Sequence, residues 1–164
     1  MIFSSTRFSL LIAALLPLSA LACGGTDEGS EPVAATPLAG KIDGKSFTAK
    51  GAVGTVLDSK SGERFITISE EAITCAKGNP SGPVVITSVV WKEGTAIEFS
   101  LQQNATLAYP SGDTIKNDVA ITGRIEVIKA PTTVGEKGKI RLRAVIDDSN
   151  TVEGEVDVEV CADF

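Results

Sequence analysis

The sequence predicts an all-β domain: an antiparallel β-sandwich of about eight strands, with a β-barrel as the alternative. Apolar residues recur with period two from Leu38 onward, and turn-forming residues separate the apolar runs. No apolar stripe of helical period is long enough to indicate a long helix. Aromatic residues make up only 5% of the chain, so we expect a core of Val, Ile, Leu and Ala.

Two stretches illustrate the strand pattern. The segment Lys41 to Phe47 is typical of a β-hairpin, with Asp43-Gly44 as a type I′ turn. Residues 118–129 are predicted to form one strand. Its inward face would carry Val119, Ile121, Ile125 and Val127.

The last two strands can be aligned through their side chains. Matching apolar faces places Ala144 opposite Gly154 across the loop Asp148-Ser149-Asn150, where Asn150 can adopt a positive φ. The same register sets Leu142 against Val156, Arg143 against Glu155, Arg141 against Asp157 and Lys139 against Glu159. The acidic stripe of Glu153, Glu155, Asp157 and Glu159 is therefore predicted to be a solvated face paired with a basic strand, in preference to a cation site.

Three cysteines occur, and two of them are predicted to pair. If Cys23 is modified, Cys75 and Cys161 remain, and an even number in an exported chain favours a disulfide. Two buried free thiols are the alternative.

The N-terminus is typical of an export signal covering residues 1–22. Arg7 precedes an apolar run of nine residues from Leu10 to Leu18, and small residues lie before Cys23. The run is too short for a membrane-spanning helix, which needs about 20 apolar residues.

The end of this signal, Ser19-Ala20-Leu21-Ala22-Cys23, resembles the lipobox of bacterial prolipoproteins. It departs from the usual pattern because Ala20 stands where Leu is common. The resemblance implies cleavage between Ala22 and Cys23, and membrane attachment through acyl chains on Cys23. Gly24 in the next position, by similarity to enteric lipoproteins, indicates sorting to the outer membrane. An ordinary secretory signal with an incidental Cys23 is the alternative.

The sequence therefore divides into a signal peptide over 1–22, a lipidated cysteine with a flexible linker over 23–37, and a β-domain over 38–164. The linker is predicted from its content of Gly, Pro and acidic residues, and from its lack of periodicity.

Charge and composition exclude several functions. The net charge is −6, and no basic block is present, which argues against nucleic acid as a partner. The chain has no histidine, which removes the usual general base and the commonest metal ligand. We predict neither a cofactor nor a metal site.

Acidic residues offer the main route to catalysis. Glu70-Glu71 and Asp147-Asp148 are adjacent pairs, which a carboxylate-only hydrolase would need to place across a cleft. The oxygen-rich stretches 113–118 and 147–150 match no EF-hand loop, so turns are the preferred interpretation over calcium sites.

Binding is the preferred function. Candidate contacts lie in the loops 75–82 and 104–113, where Asn104 and Tyr109 are the named candidates, while Trp91 is expected in the core. The leading hypothesis is a non-catalytic module, anchored through the lipid on Cys23, that binds an envelope protein or glycan. The alternatives are a carboxylate-only hydrolase and a carbohydrate-binding module.

Overall fold

The structure, a computed structural model, describes residues 31–58, 60–77 and 80–162. These ranges contain no helix long and apolar enough to cross a lipid bilayer. They form the strands β1 (Ala39–Ile42), β2 (Lys45–Thr48), β3 (Gly51–Asp58), β4 (Glu63–Ser69), β5 (Val84–Val90), β6 (Ala96–Glu98), β7 (Ala105–Ser111), β8 (Thr114–Ala120), β9 (Thr122–Lys129), β10 (Lys137–Asp147) and β11 (Asn150–Val160).

These strands belong to one sheet, which is curled into a half-barrel. Its order is β6-β9-β10-β11-β3-β4-β5-β7-β8, with β1 attached to β11 and β2 attached to β1. The strand pairs are antiparallel except for a short parallel contact between β11 and β3. The all-β class is confirmed. The curled single sheet, with eleven strands in place of about eight, is closer to the barrel alternative than to two stacked sheets.

The first hairpin forms where the sequence predicts it. Ile42 pairs with Lys45, and the turn residues Asp43 and Gly44 have φ values of 56° and 70°. Two positive φ angles in succession define a type I′ turn, whose twist matches that of the flanking strands.

Residues 118–129 form two strands where one was predicted. β8 pairs with β7 and β9 pairs with β10, so the chain changes neighbours at Ile121. Ile125 and Val127 are buried, whereas Val119 and Ile121 are 50% and 48% exposed. The prediction of a single inward face fails because a strand that changes partners does not keep one face toward the core.

The register of β10 and β11 differs by two residues from the predicted one. Leu142, predicted opposite Val156, lies opposite Gly154. The apolar face still points inward because a two-residue shift preserves the alternation of faces. The turn explains the difference: Asp147 pairs with Asn150 across a two-residue loop, and the register shifts at Ile146. Asn150 does not adopt a positive φ.

The charged ladder is shifted by the same amount. Arg143 Nη2 lies 2.9 Å from Glu153 Oε1, and Arg141 Nε lies 3.3 Å from Glu155 Oε2. Lys139 Nζ lies 2.8 Å from Glu155 Oε1 and 3.7 Å from Asp157 Oδ1. Glu153, Glu155 and Asp157 of the acidic stripe are thus paired with the basic strand, as predicted, although through different partners.

The core lies on the concave side of the curled sheet. It consists mainly of branched aliphatic side chains, as the low aromatic content predicts, and it includes Phe47, Ile66, Ile68, Val85, Leu107, Ile125, Ile140, Leu142 and Val158.

Residues 31–37, predicted to be part of the flexible linker, lie against the sheet, and we call them the N-terminal strap. Thr36 accepts a hydrogen bond from the Glu155 N–H at 2.6 Å, and Val33 is 2% exposed. Gly154 permits this contact, because its φ is 136° and a Cβ there would lie 2.5 Å from the Thr36 carbonyl oxygen. The remainder of the predicted linker, with Cys23 and the signal peptide, lies outside the described residues.

Candidate functional site

The disulfide joins the loop after β4 to the end of β11. Cys75 and Cys161 are bonded, with their Cα atoms 5.3 Å apart and 86 positions apart in sequence. Ile73 from this loop packs with Val53 and Cys161 in a small cluster separate from the main core. The loop is therefore fixed over the start of β3 at two points.

Beside this loop lies a cleft of about 470 Å³, which we call the β3–β11 cleft. Its walls are the β2–β3 connection, the segment 72–74, and the facing parts of β10 and β11; Pro37 of the strap borders it. The cleft exists because β11 and β3 separate. Their parallel pairing covers only Glu159 with Val53 and Val160 with Gly54.

The backbone of β11 has one unpaired position in this cleft. The backbone N–H and C=O groups of the even-numbered residues of β11 point toward β10, as shown by the hydrogen bond from the Val160 N–H to the Glu136 carbonyl. The backbone groups of the odd-numbered residues point to the opposite side. There Glu155 pairs with the strap, and the Cys161 N–H donates to the Gly54 carbonyl. Asp157 lies between these two pairings, and no described residue is paired with it on that side. Its N–H and C=O therefore point into the cleft.

Both lysine and acidic side chains line the cleft around Asp157. Lys50 and Lys137 are exposed, and neither forms an ion pair with a carboxylate within the described part of the chain. Lys139 is engaged by Glu155, and this hydrogen bond raises the pKa of the lysine, with further contributions from Asp157. The cleft thus offers two available ammonium groups beside a backbone donor and acceptor.

Sequence reasoning missed the cleft because its walls come from separate parts of the chain. Lys137 and Asp157 lie on the neighbouring strands β10 and β11, and the contact of β11 with β3 adds Lys50 to them. The one local signal was the alternation of acids and bases along β10 and β11. That alternation indicates a charged face but does not indicate that the face borders a gap.

Tyr109, a predicted loop contact, is placed inside the sheet. It belongs to β7 and is 3% exposed, because it shares the inward face with Ala105 and Leu107. Its hydroxyl donates a hydrogen bond to Asp118 Oδ2 at 2.6 Å, and Lys116 Nζ lies 5.4 Å from the ring centroid. The Asp118 bond, the largest influence, raises the pKa of the tyrosine. The ring is not presented on a loop, which corrects the sequence-based interpretation.

Asn104 and Trp91 also have structural partners. Asn104 is half-buried immediately before β7; its side chain donates to the Leu101 carbonyl and its own carbonyl accepts from Thr87 Oγ1 at 2.8 Å. Trp91 is 8% exposed, as expected, and its indole N–H donates to the Pro131 carbonyl at 2.7 Å. Neither Trp91 nor Tyr109 offers the open ring face that a sugar-binding platform needs.

The paired acids stabilise turns. Glu71 Oε1 accepts hydrogen bonds from the Ser81 hydroxyl at 2.8 Å and from the Gly82 N–H at 3.0 Å. The hydroxyl bond, chiefly, lowers the pKa of Glu71. Asp147 Oδ1 accepts from the Ser149 N–H at 2.8 Å. In the described ranges no group of three or more Cys, Asp or Glu side chains is placed to hold a metal ion.

Comparison of the chain with protein-family models finds no match. Comparisons with curated proteins and with solved structures also find no match. The β3–β11 cleft and the sequence of the N-terminus are the features of this chain that bear on its function.

Proposed function

We propose that the protein is a lipid-anchored binding module of the bacterial cell envelope and that the β3–β11 cleft is its ligand site. The ligand is an extended peptide segment of another envelope protein. The anchor is the lipid on Cys23, inferred from the lipobox resemblance, and the outer membrane is the destination. The module is non-catalytic in this proposal.

The observation that carries the proposal is the unpaired strand position at Asp157. A peptide backbone presents a carbonyl and an N–H with the spacing that an open strand edge requires, so an extended segment can form the missing hydrogen bonds. The volume of about 470 Å³ lies within the usual range for ligand sites.

Side chains at the cleft favour a peptide that includes an acidic residue. Lys50 and Lys137 have no carboxylate partner in the described ranges, and each can form a charge-assisted hydrogen bond with a ligand carboxylate. The disulfide-pinned loop supplies a fixed wall, which lowers the entropic cost of binding.

The test is site-specific photocrosslinking in living cells. A photoreactive residue in place of Lys50 or Lys137 should capture a discrete envelope protein, whose crosslinked peptide is then identified by mass spectrometry. The same residue in place of Lys92, an exposed turn position outside the cleft, is the control. Equal capture from Lys92 and Lys50 would contradict the proposal, as would capture of glycan alone.

A second variant tests the backbone contact. Asp157→Pro removes the N–H that faces the cleft while leaving the hydrogen bonds toward β10 to neighbouring residues. With the captured peptide as probe, we expect binding to weaken about tenfold, equivalent to about 1.4 kcal/mol. The melting temperature must stay near that of the native chain for the result to count; unchanged affinity in a folded variant contradicts a strand-like contact.

A further inference from the structure

A second surface, which shares no residue with the β3–β11 cleft, is the outer edge of β8. This strand ends the hydrogen-bonded path, and among the described strands it pairs with β7 alone, although it also approaches β10. Ser111 pairs with Thr114 across the two-residue turn, in which Gly112 has a φ of 61°. In such a hairpin the even-numbered residues of β8 bond to β7. The N–H and C=O groups of Ile115, Asn117 and Val119 therefore point away from the sheet.

This edge is suited to strand pairing apart from its two charged side chains, Lys116 and Asp118. Its seven residues contain no proline, and their register with β7 is unbroken. Lys116, the only base on the strand, bends over the inner face, where its Nζ lies 2.9 Å from Asp118 Oδ2. On the outer face, Ile115 and Val119 are 60% and 50% exposed.

We propose that this edge pairs with the same edge of a second copy of the chain, in an antiparallel arrangement with a two-fold axis at Asn117. Hydrogen bonds between the two copies require that residues with outward-pointing N–H and C=O groups lie opposite one another. Two-fold axes at residues 116, 117 and 118 all meet this requirement. An axis at Lys116 sets two lysines face to face, and an axis at Asp118 sets two aspartates face to face. An axis at Asn117 sets Lys116 opposite Asp118 of the other copy.

The apolar side chains agree with the same axis. Ile115 lies opposite Val119 of the other copy, so the two most exposed apolar residues of the strand cover each other twice. The contact is isologous and closed, which limits the assembly to a dimer. A single strand pair buries little area, so the association is weak in solution. Attachment of both copies to one membrane would raise their effective concentration.

Sedimentation velocity of the mature chain, with Cys23→Ser to remove the lipid, tests the dimer. We expect a concentration-dependent change from monomer to dimer across the micromolar to millimolar range. Lys116→Asp sets acid against acid across the axis and should leave a monomer, whereas the double variant Lys116→Asp/Asp118→Lys restores opposite charges and should restore the dimer. Lys45→Asp changes the same charge on the β2 edge and should behave as the native chain.

A cysteine tests the register. Residues paired at a two-fold axis have Cα atoms about 5.5 Å apart, within disulfide range. Asn117→Cys should therefore form an intermolecular disulfide under mild oxidation, and Lys45→Cys should not. A native chain that stays monomeric throughout the range overturns the proposal, and so does a folded Lys116→Asp variant that dimerises like the native chain. None of these results bears on peptide binding at the cleft.

Discussion

Glu153 shows how single side chains connect distant parts of this chain. Its Oε1 atom accepts hydrogen bonds from Arg143 Nη2 at 2.9 Å and from the Ala34 N–H of the strap at 3.2 Å. The hydrogen bond with Arg143 is the main cause that lowers the pKa of Glu153, and the hydrogen bond from the Ala34 N–H lowers it further. The ionised carboxylate thus links β11, β10 and the strap.

This lowered pKa gives a pH dependence with a defined sign. A carboxyl group whose pKa is lower in the folded state stabilises the fold above its unfolded value, near 4.5, and the contribution is lost as pH falls through the folded value. The unfolding free energy should fall as pH is lowered, and we expect this fall to be smaller in Glu153→Gln. The difference should be about 1 kcal/mol or less, since the pair is partly solvated. Urea titrations from neutral pH to about pH 3 measure this.

Arg143→Gln serves as the matched variant because it removes the other partner of the pair. The double variant should reduce the acid-dependent loss of unfolding free energy no more than the single variant with the larger effect does, because both substitutions end the same interaction. An acid-dependent loss in Glu153→Gln equal to that of the native chain would show that the pair does not contribute.

At the scale of elements, the loop after β4 depends on contacts far away in sequence. The disulfide closes a span of 86 positions, and Ile73 adds a small apolar contact to Val53 and Cys161. Glu71 fixes the other end of the loop through Ser81 and Gly82. These contacts hold the loop in the position where it forms a wall of the cleft.

Removing the disulfide should therefore affect stability and binding together. For Cys75→Ser/Cys161→Ser we expect a loss of about 2–5 kcal/mol in unfolding free energy, because the unfolded chain regains its freedom. Urea denaturation with and without reductant measures the loss, and affinity for the captured peptide reports on the cleft wall. Glu71→Gln, which keeps the disulfide and weakens the opposite tie, is the comparison; native stability of the cysteine variant would contradict the argument.

For the whole molecule, the strap brings the domain close to the proposed anchor. The described part of the strap includes Glu31, whose carbonyl accepts a hydrogen bond from Arg143 Nη1 at 3.3 Å. Only residues 24–30 then separate this point from Cys23, and seven residues reach at most about 25 Å. In the proposed lipoprotein the strap therefore holds the domain within a short distance of the membrane.

The anchor itself has a direct test. The native protein should be recovered in the membrane fraction and should incorporate labelled fatty acid, whereas Cys23→Ser should be soluble and unlabelled, because the thiol that carries the lipid is gone. The Cys75→Ser/Cys161→Ser variant controls for loss of cysteine and should stay with the membrane. A soluble native protein would show that residues 1–22 are an ordinary secretory signal.

Much of the architecture follows from local sequence. The period-two pattern predicts an all-β chain because alternate side chains point to opposite faces of a strand. Asp43-Gly44 predicts its turn because both residues tolerate a positive φ. The cysteine count predicts the bond between Cys75 and Cys161, since these two remain once Cys23 is assigned to the proposed lipid.

Tertiary structure decided what depends on partners distant in sequence. The predicted register of β10 and β11 was wrong because of the irregularity at Ile146. The alternation of apolar and polar residues does not reveal such an irregularity. The curl of the sheet, the docking of the strap and the burial of Tyr109 depend on which strands become neighbours. The cleft arises where β11 and β3 separate, and alternation along one strand carries no information about the strand beside it.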